Sequence, residues 1–109
     1  MYRGVRISLL GGVEADRDGV ALTLGGVKLR AVLALLALST PHPVSDDRLI
    51  EALWGDEQLA DPGNALQAQI AKLRRILGRD LIGRHASGYA LEVDVDQVDV
   101  HRFERLVPR

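Results

Sequence analysis

Between Pro62 and Leu77 the chain reads PGNALQAQIAKLRRIL, and advancing about 100° per residue divides that stretch into two faces. Leu66, Ile70, Leu73 and Leu77 fall in one narrow stripe that must meet a core. Asn64, Ala68, Ala71, Lys72 and Arg75 fall opposite, with Gln67 and Arg74 on the flank. Amide side chains pair with adenine, cations with guanine or phosphate, and alanine methyls permit close approach and touch thymine methyls. The outer face therefore carries the chemistry that a DNA major groove accepts. The same pattern fits an ordinary amphipathic helix whose alanines only favour helicity. The flanking elements must decide between the two.

Other residues with chemistry of their own are scattered. His42 lies in a proline linker, His85 in a hairpin turn and His101 in the last helix. His101 and Glu104 are one helical turn apart, a spacing found in some metal sites, but no third ligand accompanies them. The chain has no cysteine, which excludes a disulfide, a thiolate metal site and a cysteine nucleophile. Neither a GxxxxGK[ST] phosphate loop nor a GxSxG elbow occurs, and Gly25-Gly26 only precedes an apolar helix. No enzyme activity, no metal and no cofactor is expected.

The elements that must position the 62–77 face follow from periodicity. Val5 to Leu10 alternates in period two, Asp16 to Gly19 has turn chemistry, and Val20 to Thr23 makes a second short strand. These imply a small antiparallel sheet. Val27 to Ser39 is apolar nearly all round and belongs in the middle of a core. Pro41 and Pro43 end it, and Val44 is placed to add a short strand. Ser45 caps a second helix, with Asp46 and Asp47 where the dipole favours anions, and Gly55 closes it. Asp61 and Pro62 open the third helix, which stops at Gly78.

A hairpin follows, with Leu81-Ile82 starting one strand, a turn from Arg84 to Gly88, and Tyr89 to Val93 returning. Its tip holds Arg84, His85 and Ser87. Tyr89 is read either as a hydroxyl donor to phosphate or as a simple cross-strand aromatic. Asp99 is placed to cap a last segment with Val100, Phe103, Leu106 and Val107 on one side. The expected fold is α+β: a winged helix-turn-helix with an N-terminal antiparallel sheet, a three-helix core and a C-terminal hairpin wing. In such a layout one helix enters the major groove while the hairpin reaches the adjacent backbone or minor groove.

With 109 residues, 47% apolar and 27% charged, the chain fits one compact domain. The longest apolar run, Ala31 to Leu38, is eight residues, against the roughly 18 a membrane span requires. The N-terminus has no proper apolar core or small-residue cleavage site of a secretory signal, and a cytoplasmic location is expected. The net charge of −1 conceals three blocks: −5 over residues 44–63, +4 over 64–91 and −4 over 92–104. A basic block between two acidic ones polarises the surface if the fold keeps it together. Charges dispersed over solvated helices are the other outcome.

Three stretches together resemble one family: LGGVKLRAVLALLALSTPHPVSDDRLIEALWGDE, NALQAQIAKLRRILG and SGYALEVDVDQVDVHRFERLV. The chain is similar, from about Val5 to Val107, to the N-terminal domain of the Streptomyces antibiotic regulatory proteins, a winged helix of the OmpR/PhoB type. LIEALWG at 49–55, LRRILG at 73–78 and VDVHRFERLV at 98–107 are its most specific parts. The resemblance implies a transcriptional activator that binds direct repeats of double-stranded DNA as a head-to-tail pair near a promoter. It further implies recruitment of RNA polymerase through its sigma factor and control of antibiotic biosynthesis.

Carried onto this chain, the resemblance makes residues 62–77 the recognition helix. Gln67, Ala68, Ala71, Lys72 and Arg75 take its outward positions, Arg74 a backbone-contacting cation and Asn64 a phosphate contact at the helix start. Trp54 matches an aromatic that touches the DNA backbone and can fill the core between helices at the same time. The loop over 55–62, with Gly55, Asp56, Glu57 and Gln58, is the polymerase-facing loop. Two departures lower the expected affinity: Ala71 stands where relatives often carry a basic residue, and His85 where an arginine commonly enters the minor groove. The resemblance divides the chain into a DNA-binding domain over 1–97 and, over 98–109, the start of the first helix of an activation domain. These residues stop before the rest of that domain, and an excised piece is expected in preference to a short, stand-alone relative. A winged-helix module serving protein–protein contact or RNA binding is the alternative function.

Overall fold

The computed structural model describes residues 4–107. Strands β1 (Val5–Ser8), β2 (Glu14–Arg17) and β3 (Val20–Ala21) form an antiparallel sheet in the order β1-β2-β3. Helices α1 (Val27–Ser39), α2 (Asp46–Trp54) and α3 (Pro62–Leu77) follow, and a single 3-10 turn, Arg79–Leu81, leads into the antiparallel hairpin β4 (Ile82–His85) and β5 (Gly88–Leu91). A second 3-10 turn, Val95–Gln97, precedes α4 (Asp99–Leu106). The expected winged-helix architecture is present: sheet, three mutually packed helices, then hairpin.

Helix boundaries fall where the caps place them. Ser45 Oγ accepts from the Arg48 amide at 3.1 Å and Asp61 Oδ1 from the Asn64 amide at 3.0 Å, each satisfying an otherwise orphaned donor. Helix α1 buries Leu29, Val32, Leu33, Leu36 and Ala37 and forms the middle of the core. Leu66, Ile70, Leu73 and Leu77 of α3 are buried against it, each at most 1% exposed. Fully burying one such side chain contributes about 1.5–3 kcal/mol, so turning this face outward would forfeit roughly 6–12 kcal/mol. That locks the rotation of α3 about its axis.

Tertiary contacts move several boundaries from their expected places. Strand β1 stops at Ser8 rather than Leu10, because the Leu9 and Leu10 amides donate to the Asp99 carboxylate at 2.7 and 3.1 Å. Asp99 therefore closes the end of a strand and gives its own helix no side-chain cap. Asp16 and Arg17 belong to β2, opposite Arg6 and Val5, and the turn is reduced to Asp18-Gly19. Both turn residues have positive φ, 51° and 86°, the geometry that matches strand twist with only two residues. The wing turn is also shorter than expected: it is Ala86-Ser87, with Arg84 and His85 on β4, Leu81 in the 3-10 turn and β5 ending at Leu91.

Val44 extends the hairpin. Its amide donates to the Tyr89 carbonyl at 2.7 Å and its carbonyl accepts from the Tyr89 amide at 3.0 Å, so the segment before α2 lies beside the wing. At the other end, Ile7 bridges Val98 in parallel and the Gln97 side-chain Nε2 donates to the Val5 carbonyl at 2.8 Å. Helix α4 is thereby tied to the N-terminal sheet while Phe103, Leu106 and Val107 remain exposed.

Candidate nucleic-acid interface

Because the apolar stripe of α3 is held against α1 and α2, its opposite face is open. Asn64, Gln67, Ala68, Ala71, Lys72 and Arg75 are all exposed on it. Asn64 begins the row in the first turn after the Asp61 cap, and Arg75 ends it in the last turn of the helix. A helix rises about 1.5 Å per residue, so Asn64 to Arg75 covers roughly 16 Å. A B-DNA major groove is about 12 Å wide and admits a helix of this kind. Ala68 and Ala71 keep the middle of the row low, and the cations lie toward its C-terminal half.

Arg74 is placed differently from its neighbours. Its Nε and Nη2 donate to the Ile82 carbonyl at 3.1 and 2.9 Å, and its guanidinium lies 5.8 Å from the centre of the Tyr89 ring. The side chain is half-buried and fixes the first residue of the wing to α3. Tyr89 is buried, and its ring also meets the Arg84 guanidinium, 4.6 Å from the ring centre. Arg84 Nη1 in turn donates to Asp46 Oδ1 at 2.6 Å. That hydrogen bond is the main reason the Arg84 pKa rises above its ordinary value. Arg74, Tyr89, Arg84 and Asp46 thus connect α3, the wing and the start of α2.

The other wing residues are exposed. His85 Nε2 lies 2.7 Å from Glu92 Oε1, a contact between the two edges of the hairpin, and Ser87 is in the turn itself. Trp54 is buried at the end of α2, with Lys28 Nζ 5.5 Å from its ring centre. Lys28 also donates to the Leu53 carbonyl at 2.8 Å and reaches Glu57 Oε2 at 3.5 Å. Gly55, Asp56, Glu57 and Gln58 follow as an exposed loop. Two participants were absent from the sequence reading. Asp46 signalled only a helix dipole, and nothing announced it as the partner of Arg84; Lys28 gave no sign of bracing the loop.

Residues 22–91, from just before α1 to the end of the wing, match the family described as "Transcriptional regulatory protein, C terminal". The chain belongs to this family.

Its relatives agree with the resemblance to Streptomyces antibiotic regulatory proteins. The chain is 34% identical to the transcriptional regulator RedD of Streptomyces coelicolor, over 94% of this chain and 32% of RedD. It superimposes on Mycobacterium tuberculosis EmbR, solved with a low affinity phosphopeptide, with a TM-score of 0.84 and 29% identity over 94% of this chain and 28% of EmbR. The DNA-binding domain of Escherichia coli CadC shares the winged-helix fold, with a TM-score of 0.64 and 23% identity over 85% of this chain and 94% of that one. The chain spans less than half the length of the curated relatives it matches.

Proposed function

We propose that this member of the family binds double-stranded DNA sequence-specifically, as the DNA-reading part of a transcriptional activator. The observation that carries the reading is the exposed, low-profile row from Asn64 to Arg75, held in place by four buried side chains on the reverse of the same helix. Lys72, Arg75 and the wing supply attraction to phosphate, which is independent of sequence and weakens as salt rises. Asn64, Gln67, Ala68, Ala71 and Lys72 then discriminate bases. Arg74 supports this indirectly, since it holds the wing at a fixed position relative to α3. Trp54 and Tyr89 pack behind the surface and stiffen it, while Arg84, His85 and Ser87 present the wing to the flanking backbone.

The test is retention on duplex DNA against competing RNA at two salt concentrations. Preference for duplex supports the reading; equal competition by RNA favours the alternative module. Within that assay Lys72→Ala is expected to cost about 1–3 kcal/mol and to relax preference at a single base position. An equal loss on every duplex would reduce Lys72 to a phosphate contact.

On the same reading, one copy with few phosphate contacts binds weakly, and two copies on adjacent direct repeats gain from linked binding as a head-to-tail pair. The exposed acidic loop, Gly55 to Gln58, presents Asp56 and Glu57 to a basic surface of RNA polymerase, through its sigma factor. Asp56→Lys is therefore expected to leave DNA affinity near wild type and to lower transcription from a target promoter in a reconstituted reaction. Lost DNA binding would instead put the loop against the duplex. Helix α4, with Phe103, Leu106 and Val107 exposed, suits the first helix of an activation domain, and antibiotic biosynthesis in the bacterial cytoplasm is the process this activator would control.

A further inference from the structure

We propose a second phosphate-binding site in which Arg17 of the N-terminal sheet joins Arg75 and Arg79 at the C-terminal end of α3. The groove there, about 560 Å³, is lined by Ala71, Arg74, Arg75, Gly78 and Arg79. Arg17 arrives from the exposed outer end of β2, and its guanidinium lies directly over Gly78. A Cβ built at Gly78 would stand 2.8 Å from Arg17 Nη2 and 3.9 Å from its Cζ. Gly78 has a φ of +124°, so the position already excludes ordinary side chains, and the bare backbone leaves space for the arginine head.

Arg75 and Arg79 line this groove, Arg17 reaches its border at Gly78, and none of the three exposed residues is neutralised. Among the described residues, no carboxylate lies within ion-pair distance of Arg17, Arg75 or Arg79. Asp80, next to Arg79 in the 3-10 turn, makes no ion pair, so the cluster keeps a net positive charge. Arg74 lines the same groove but spends its donors on the Ile82 carbonyl. Like charges repel unless an anion or solvent occupies the space between them. Arginine forks suit the oxygens of a phosphodiester in particular.

The site rests on the duplex-binding reading, and the dimensions place it. Helix α3 is 16 residues, roughly 24 Å long, against a major groove about 12 Å wide. Ala71 and Arg75 near the end of the helix and Arg79 just beyond it line the same groove, so this end of the row meets the phosphate backbone bordering the major groove. The sheet then contacts DNA through Arg17, which lies 58 residues before Arg75 in the chain. Its contribution is affinity and orientation rather than base preference.

The experiment measures binding of the chain to a random-sequence duplex by fluorescence anisotropy between 50 and 200 mM salt. Each phosphate contact contributes a slope of roughly 0.9 in log K against log salt. Arg17→Ala and Arg79→Ala together should therefore reduce the affinity lost over that range by about 12-fold, and either alone by about 3.5-fold. Arg6→Ala removes the same charge from β1, where Arg6 lines a separate pocket with Asp94 and Asp96, and should leave the slope nearly unchanged. Arg17→Lys should restore most of the slope lost by Arg17→Ala. If the double variant behaves like Arg6→Ala, the second site is wrong while duplex binding stands. If the unmodified chain binds no duplex at all, both proposals fall.

Discussion

Gly88→Ala is expected to destabilise the domain by about 3 kcal/mol or more. Gly88 opens β5 with a φ of +149°, where a side chain is strained before any neighbour is considered. The neighbours are backbone. A Cβ there would run into the Val44 carbonyl oxygen, with the Val44 carbon at 2.6 Å and the Ser45 Cα at 2.8 Å. None of these atoms can swing aside as a side-chain tip would. Relief requires the strand to move away from Val44, which breaks the paired hydrogen bonds between Val44 and Tyr89. Overpacking costs about 1–3 kcal/mol and each lost hydrogen bond about 0.5–1.5 kcal/mol.

At roughly 4–8 °C per kcal/mol for a domain of this size, the melting temperature should fall by about 12–24 °C. Gly63→Ala is the comparison, because its Cβ would meet only Asp61 Oδ1 at 3.7 Å, in the first turn of α3. It should be neutral or slightly stabilising. Thermal melts of both variants decide the matter. A Gly88→Ala melt within two or so degrees of wild type would mean that the wing is not pinned at Val44.

Ala68→Glu should have the opposite profile: an intact fold and about hundredfold or greater loss of duplex affinity. Ala68 is exposed at the middle of the α3 row, and surface substitutions of this kind usually stay within about 0.5 kcal/mol in stability. A carboxylate at the same place would face phosphate and the acceptor-rich groove floor. Like charges brought together in an interface cost several kcal/mol, and every 1.4 kcal/mol is about tenfold in affinity. Ala68→Ser, small and neutral, should retain most of the binding, which separates charge from the loss of a methyl. Anisotropy titrations on a duplex, paired with melts, provide the readout. Wild-type affinity in Ala68→Glu would remove α3 from the interface, whatever else the domain binds.

The legible parts of this protein are those set by neighbours in sequence. Ser45 and Asp61 announce helix starts because an N-cap acts within three residues, and both make the expected bonds. The four buried positions of α3 and the six exposed ones of its outward row follow from a repeat of 3.6 residues, and no distant contact disturbs them. Family membership was legible too, since the order of LIEALWG, LRRILG and VDVHRFERLV survives as sequence. Strand ends and the wing turn were legible only approximately, because their limits depend on which amides find a partner.

What the sequence by itself determined is the helices, the hairpin and the outward face of α3, since local capping and periodicity are properties of the chain alone. What only the tertiary structure decided is which polar groups meet: Asp99 with the end of β1, Arg84 with Asp46, Arg74 with Ile82, and Arg17 with the space above Gly78. Each pairing joins groups from different elements that only the tertiary packing brings together, with separations of 8 to 90 residues. A charged side chain carries no record in sequence of the partner it will reach, because its reach is fixed by distance in space.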